Sequence, residues 1–139
     1  MRVIAAILLG GILQAAAAAS PGELVIIVNP ESGVDALTRD EVINIFMGRY
    51  RKLPSGVTAL PVDEGSEKAA FYHSLVDKEL AEIQSYWARL VFSGQGSPPR
   101  PAENAEDVMD IVANNKGAVG YIDRSRADPR VRIVLDLAR

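Results

Sequence analysis

The residues from Glu23 to Val28 form an unbroken apolar run, ELVIIV, which Asn29-Pro30 ends. A strand that is apolar at every position, rather than at alternate positions, is typical of a sheet with both faces covered. In such a sheet the covering layers are usually helices. The run therefore predicts an α/β fold with this segment as a buried strand.

The rest of the chain supplies helices and further strands. Thr38 and Glu41 have the spacing of a capping box, which predicts a helix that ends at Gly48. Strands are predicted at 57–62, 118–122 and 131–135, and helices from Ser66, Leu80 and Asn104. The order is β-α-β-α-α-α-β-β, which predicts an open mixed sheet flanked by helices.

Apolar positions and turn residues refine this prediction. The helix after Ser66 is expected to bury Ala70, Phe71, Leu75 and Val76, and the next helix to bury a stripe of apolar residues at helical spacing: Leu80, Ile83, Trp87, Leu90 and Val91. The segment 93–101, SGQGSPPRP, is rich in glycine and proline and is expected to be an irregular loop.

The first 19 residues have the pattern of a signal peptide. Arg2 precedes an apolar stretch at 3–13, and Ala17-Ala18-Ala19 offers a cleavage site before Ser20. The stretch is shorter than the roughly 20 residues that span a bilayer, although an uncleaved anchor is the alternative. We therefore expect a periplasmic protein whose mature part, 20–139, is one domain without a transmembrane segment.

Composition argues against several functions. The 139 residues include 15 lysines and arginines and 18 aspartates and glutamates, a formal net charge of −3, which is unfavourable for binding nucleic acid. With one histidine and no cysteine, the chain lacks the ligands of a typical transition-metal site and a plausible hydrolytic triad. We expect no enzyme activity, no catalytic residues, no metal and no cofactor.

One helix start has the features of an anion site. Gly65-Ser66 follows a predicted strand, and the first amides of a helix lack intrahelical partners. The Ser66 hydroxyl and the amides of Ser66, Glu67 and Lys68 could hold a small oxyanion, with charge from Lys68 and Arg100. The alternative is that Ser66 only caps its own helix.

Acidic neighbours oppose such a site. Asp63, Glu64 and Glu67 surround the Gly65-Ser66 turn, and one carboxylate about 5 Å from a bound anion costs roughly 3 kcal/mol at an effective dielectric constant of 20. A helix N-terminus returns only about 0.3–2 kcal/mol. The outcome depends on where these three side chains point.

Three phrases in a fixed order carry a family resemblance. They are NIFMG at 44–48, VDEGS at 62–66 and GAVGYID at 117–123, and LVFSGQGSPP at 90–99 lies between the last two. Together they resemble the phosphate-transporter-type periplasmic substrate-binding proteins, and more closely the short single-domain relatives of that family. The resemblance covers nearly all of residues 23–123 and implies one lobe of the type II periplasmic-binding-protein fold.

The resemblance leaves two functions open. It implies a non-enzymatic solute-binding module, with phosphate or a similar oxyanion held by Gly65, Ser66, Glu67, Lys68 and Arg100. Family members enclose the anion between two lobes, so a single lobe would need a protein partner or a homodimer. The alternative is a periplasmic protein-interaction or sensory module that has lost ligand binding, with its surfaces on the basic loop 49–52 and on 93–101.

Overall fold

A computed structural model describes residues 23–137, and the predicted signal peptide lies outside this range. The strands are β1 (Leu24–Val28), β2 (Leu60–Glu64), β3 (Arg100–Ala102), β4 (Ala118–Asp123) and β5 (Arg132–Asp136). The helices are α1 (Arg39–Phe46), α2 (Lys68–Val76), α3 (Leu80–Phe92) and α4 (Ala105–Asn114), with a short 3₁₀ helix at Arg124–Arg126. Within this range no helix has both the length and the apolar content needed to cross a membrane.

The five strands form one mixed sheet in the order β3-β2-β4-β1-β5. β1 is antiparallel to β4 and β5, whereas β2 is parallel to β3 and β4. All five residues of β1 are buried. Its alternate side chains enter two apolar clusters, Ile26 and Val28 on the side of α1, α2 and α3, and Val25 and Ile27 on the side of α4. The predicted α/β fold with an open mixed sheet and flanking helices is confirmed.

Two predictions about the strands are wrong. The segment 93–101 is not irregular throughout, because Arg100–Ala102 forms β3 beside β2. β3 is an edge strand, where Pro101 is tolerated because its missing N–H removes no bond from the interior of the sheet. The strand predicted at 57–62 runs instead over Leu60–Glu64, so Asp63 and Glu64 belong to the sheet and are buried.

Helix starts were predicted with mixed success. The Thr38 capping box is present, and Asn104 caps α4 by accepting a hydrogen bond from the amide of Asp107. The prediction that Ser66 caps α2 is wrong. Glu67 occupies the N-cap position, and its side chain makes no capping hydrogen bond. The Ser66 hydroxyl donates to Glu64 and not to the helix.

The predicted core faces of α2 and α3 are partly wrong. In α2 Ala70 is exposed and Tyr72 is fully buried. In α3 Ile83 and Trp87 are buried as expected, but Val91 is 52% exposed and neighbouring Phe92 is 95% exposed. The apolar stripe of α3 therefore packs on the core at its centre and reaches solvent at its C-terminal end.

Candidate functional site

The Gly65-Ser66 turn joins the end of β2 to the start of α2. The amide of Gly65 donates to the carbonyl of Ala102 at 2.8 Å, which ties the turn to the end of β3. A Cβ atom at Gly65 would lie 3.1 Å from that carbonyl oxygen and 3.4 Å from the carbonyl oxygen of Glu103. Glycine therefore allows two backbone segments to approach closely here, and a side chain would require one of them to shift by a few tenths of an ångström.

The donors of Ser66 are already engaged by a carboxylate of the same chain. The Ser66 amide donates to Glu64 Oε1 at 2.7 Å, and the Ser66 hydroxyl lies 2.7 and 2.8 Å from the two oxygens of Glu64. Glu64 is only 2% exposed. The turn therefore holds an oxyanion, but that oxyanion is Glu64.

Asp63 points into the core on the other side of β2. Tyr72 and Tyr121 each donate a hydroxyl hydrogen bond of 2.9 Å to Asp63 Oδ1, and Lys68 Nζ lies 3.7 Å from Asp63 Oδ2. Burial raises the pKa of Asp63 above its ordinary value, and the two tyrosines and Lys68 oppose that rise. Lys68, which the sequence assigned to an external anion, is paired with this internal carboxylate.

Further acids face the turn. Partial burial raises the pKa of Glu67, and the negative charges of Glu64 and Asp123 raise it further. These carboxylates are thus close enough to repel one another, and a second anion at Ser66 would meet the same field. The sequence did not predict where the acidic side chains around the turn would point, and the directions found here are unfavourable for an external anion.

Arg100 does not join this group of residues. It begins β3 opposite Val62, whereas Ala102 lies opposite Glu64 and next to the turn. Its side chain is exposed and lines a separate surface cavity with Glu103 and Asp107. Of the five predicted ligand-binding residues, the structure brings together Gly65, Ser66, Glu67 and Lys68.

Comparisons with known proteins identify the fold. No protein-family model matches the chain, and no curated protein matches it. Solved structures do match. One is a candidate phosphate ABC transporter substrate-binding protein from Clostridium perfringens with bound phosphate, at a TM-score of 0.62 and 17% identity over 81% of this chain. Another is an ABC-type phosphate transport receptor from Vibrio cholerae, at a TM-score of 0.62 and 20% identity over 81% of this chain.

The chain shares the fold of part of these two substrate-binding proteins. The resemblance found in the sequence is confirmed at the level of the fold. The chain spans 44% and 45% of the lengths of the two matched structures, so it corresponds to less than half of each. Within residues 23–137, no group of three or more histidine, cysteine, aspartate or glutamate side chains could hold a metal ion.

Sequence reasoning missed the partners of the buried acids. The residues expected to be buried in α2 did not include Tyr72, and no role was assigned to Tyr121. Both rings are fully buried, and burial beside Asp63 raises the pKa of each hydroxyl. The available signal was the pair Asp63-Glu64 at the end of a strand, since a buried carboxylate requires hydrogen-bond donors nearby.

The raised pKa of Asp63 gives a pH-dependent stability. The folded protein keeps this proton at pH values where the unfolded chain, with an ordinary pKa of 3.8, has released it. The contribution of Asp63 to stability is therefore largest below that value and is lost as pH rises through the folded pKa.

We expect the stability difference between wild type and Asp63→Asn to change in favour of wild type as pH falls from 7 to about 4. Urea unfolding of both proteins at several pH values measures this difference, and the comparison removes the contributions of the other acids. A difference that moved in favour of wild type with rising pH would show that Lys68 and the tyrosines outweigh burial.

Proposed function

We propose that this chain is an exported, non-enzymatic module of solute-binding fold whose Gly65-Ser66 turn is closed to phosphate by its own Glu64. The observation that carries the proposal is the pair of Ser66 donors engaged by the buried Glu64 carboxylate. The function that this geometry favours is that of a protein-interaction or sensory module, rather than phosphate capture at Ser66.

The energetics support this choice. A carboxylate about 4 Å from a bound anion repels it by about 4 kcal/mol at an effective dielectric constant of 20, whereas a helix N-terminus contributes at most about 2 kcal/mol. Phosphate would therefore have to displace Glu64 from Ser66 and expose or protonate it. Lys68 offers little compensation because it is paired with Asp63.

The surface also favours an interaction role. Arg51 in the loop 49–52 donates a hydrogen bond of 3.2 Å to the carbonyl of Gln95, so the two segments expected to meet partners contact each other. Tyr50 in this loop is 49% exposed, and Phe92, just before the segment 93–101, is 95% exposed. Aromatic residues are enriched at protein–protein interfaces relative to the rest of the surface. If a pull-down from periplasmic extract recovered no specific partner, the interaction role would lose its support.

Replacing Glu64 tests whether this residue closes the turn. We expect calorimetric titration of wild type with phosphate to give no binding heat at millimolar concentration, with sulfate as the comparison anion. Glu64→Ala frees the amide and hydroxyl of Ser66 and removes one negative charge, so we expect weak binding in the millimolar range. Adding Ser66→Ala to that variant should abolish the gain.

Glu103→Ala is the matched control. Glu103 is an exposed acid beside the turn, and its removal changes the net charge equally without freeing Ser66. Phosphate binding by Glu64→Ala that was no stronger than binding by Glu103→Ala would contradict the proposed role of Glu64. Micromolar binding by wild type would restore the solute-binding hypothesis.

A further inference from the structure

A second cavity, away from the Gly65-Ser66 turn, opens beside the loop 49–52. Its volume is about 270 Å³, and it lies between the C-terminal end of α1, this loop, the start of β2 and the segment 93–99. Its wall combines the apolar residues Ile45, Pro61 and Trp87 with the polar residues Tyr50, Arg51 and Thr58. Mixed walls with a few polar groups are typical of small-molecule sites.

Arg51 supplies a cation at the rim of this cavity. Its Nη2 donates to the carbonyl of Gln95, which fixes the guanidinium while leaving other N–H donors of its planar group for a ligand. None of the ion pairs within residues 23–137 neutralises Arg51. A guanidinium held in this way suits a carboxylate, which can accept two parallel hydrogen bonds.

Trp87 forms the apolar wall and has an unused polar group. Trp87 is only 7% exposed, and its indole N–H has no hydrogen-bond partner within the part of the chain described. The cavity residues Gly48 and Gly96 lie beside the six-membered edge of the ring, so a ligand in the cavity would contact that apolar edge, and the buried N–H would report the change in the surroundings of the ring.

Gly48 keeps space for the indole ring. A Cβ atom at this position would lie 2.7 Å from Cη2 of Trp87, which is closer than real contacts allow. Any other residue would push the ring from its place. Gly48 also has a φ of +79°, which disfavours residues with a side chain.

We propose that this cavity binds a small organic carboxylate with an aromatic or branched apolar body. The carboxylate pairs with Arg51, and the apolar body packs on Trp87, Ile45 and Pro61. Phosphate suits the cavity poorly because the side formed by Ile45, Pro61 and the ring edge of Trp87 is apolar. This site would give the proposed sensory role a ligand, but its existence does not depend on whether Glu64 excludes phosphate.

The single tryptophan of the chain provides a direct test. In a ¹⁵N-labelled sample the indole N–H of Trp87 gives one resolved cross-peak, which can be followed while phenylacetate is added. We expect a saturable shift with a dissociation constant in the millimolar range or tighter. Phenylacetamide has the same shape without the charge, and we expect it to bind about tenfold more weakly.

Variants separate the cavity from general surface charge. Arg51→Ala should weaken phenylacetate binding about tenfold. Arg49→Ala is the matched control, since Arg49 lies in the same loop but its guanidinium donates to Asn44 and does not line the cavity. We expect binding by this control to equal that of wild type.

A cavity-filling variant completes the test. Gly96 lines the cavity, and a Cβ atom there would lie at an ordinary 3.6 Å from Cζ3 of Trp87, so Gly96→Leu should fold and abolish the shift. The proposal is overturned if phenylacetate leaves the indole peak of wild type unmoved at millimolar concentration. It is also overturned if Arg51→Ala and Gly96→Leu bind as wild type does. If Glu64→Ala failed to bind phosphate, the outcome of the phenylacetate titrations would not be affected.

Discussion

Phe71→Ala is expected to lower the free energy of unfolding by about 3–5 kcal/mol, the usual cost of removing a buried aromatic ring. Phe71 is fully buried between α2 and the sheet. Its ring stacks on Tyr121 with centroids 3.6 Å apart and meets Phe46 and Tyr72 edge to face, each at 4.9 Å. The variant also loosens the two tyrosines that donate to Asp63, so a buried carboxylate would lose well-placed partners.

Phe92→Ala is the matched control for this prediction. It removes the same ring from a residue that is 95% exposed, and we expect a change within about 0.5 kcal/mol. Urea unfolding followed by circular dichroism measures both variants under the same conditions. Equal and small losses for the two variants would show that the aromatic cluster around Phe71 is not a principal part of the core.

Gly117→Ala is expected to cost about 3 kcal/mol or more, because the added methyl group meets backbone rather than a movable side chain. A Cβ atom at Gly117 would lie 1.9 Å from the carbonyl oxygen of Thr58. The carbonyl of Gly117 also accepts the amide of Leu60 at 2.9 Å, where β2 begins its pairing with β4. Relief of the clash therefore requires these two strands to separate.

Gly96→Ala gives the comparison for Gly117→Ala. The added methyl group makes ordinary contact with Trp87, and we expect a change within about 0.5 kcal/mol. The melting temperatures of both variants, from thermal unfolding, provide the measurement. A Gly117→Ala protein as stable as Gly96→Ala would mean that the start of β2 can move away from β4 at little cost.

The sequence predicted the fold well where residue patterns are long and local. The run ELVIIV specified a strand covered on both sides because its alternate residues enter two separate cores. The Thr38 capping box and the Asn104 cap depend on residues three positions apart, so they could also be found without the structure. β3 was missed because an edge strand of three residues with a proline has no periodic pattern.

The site was harder to predict because its chemistry depends on contacts across the fold. The approach of Tyr72 and Tyr121 to Asp63 joins residues 9 and 58 positions away in the chain. The contact between Glu64 and Ser66 is local, but its formation depends on whether β2 ends before or after the acids. The prediction placed that end at residue 62 and left the acids outside the strand.

The most direct test of the account follows the amide N–H of Ser66 in wild-type protein by ¹⁵N NMR while phosphate is added. If Glu64 holds this amide, its cross-peak should stay in place at millimolar phosphate. The cross-peak of the Glu64→Ala protein should move and saturate. A saturable movement in wild type at micromolar phosphate would contradict the account, because an external anion would then have replaced Glu64 at the turn.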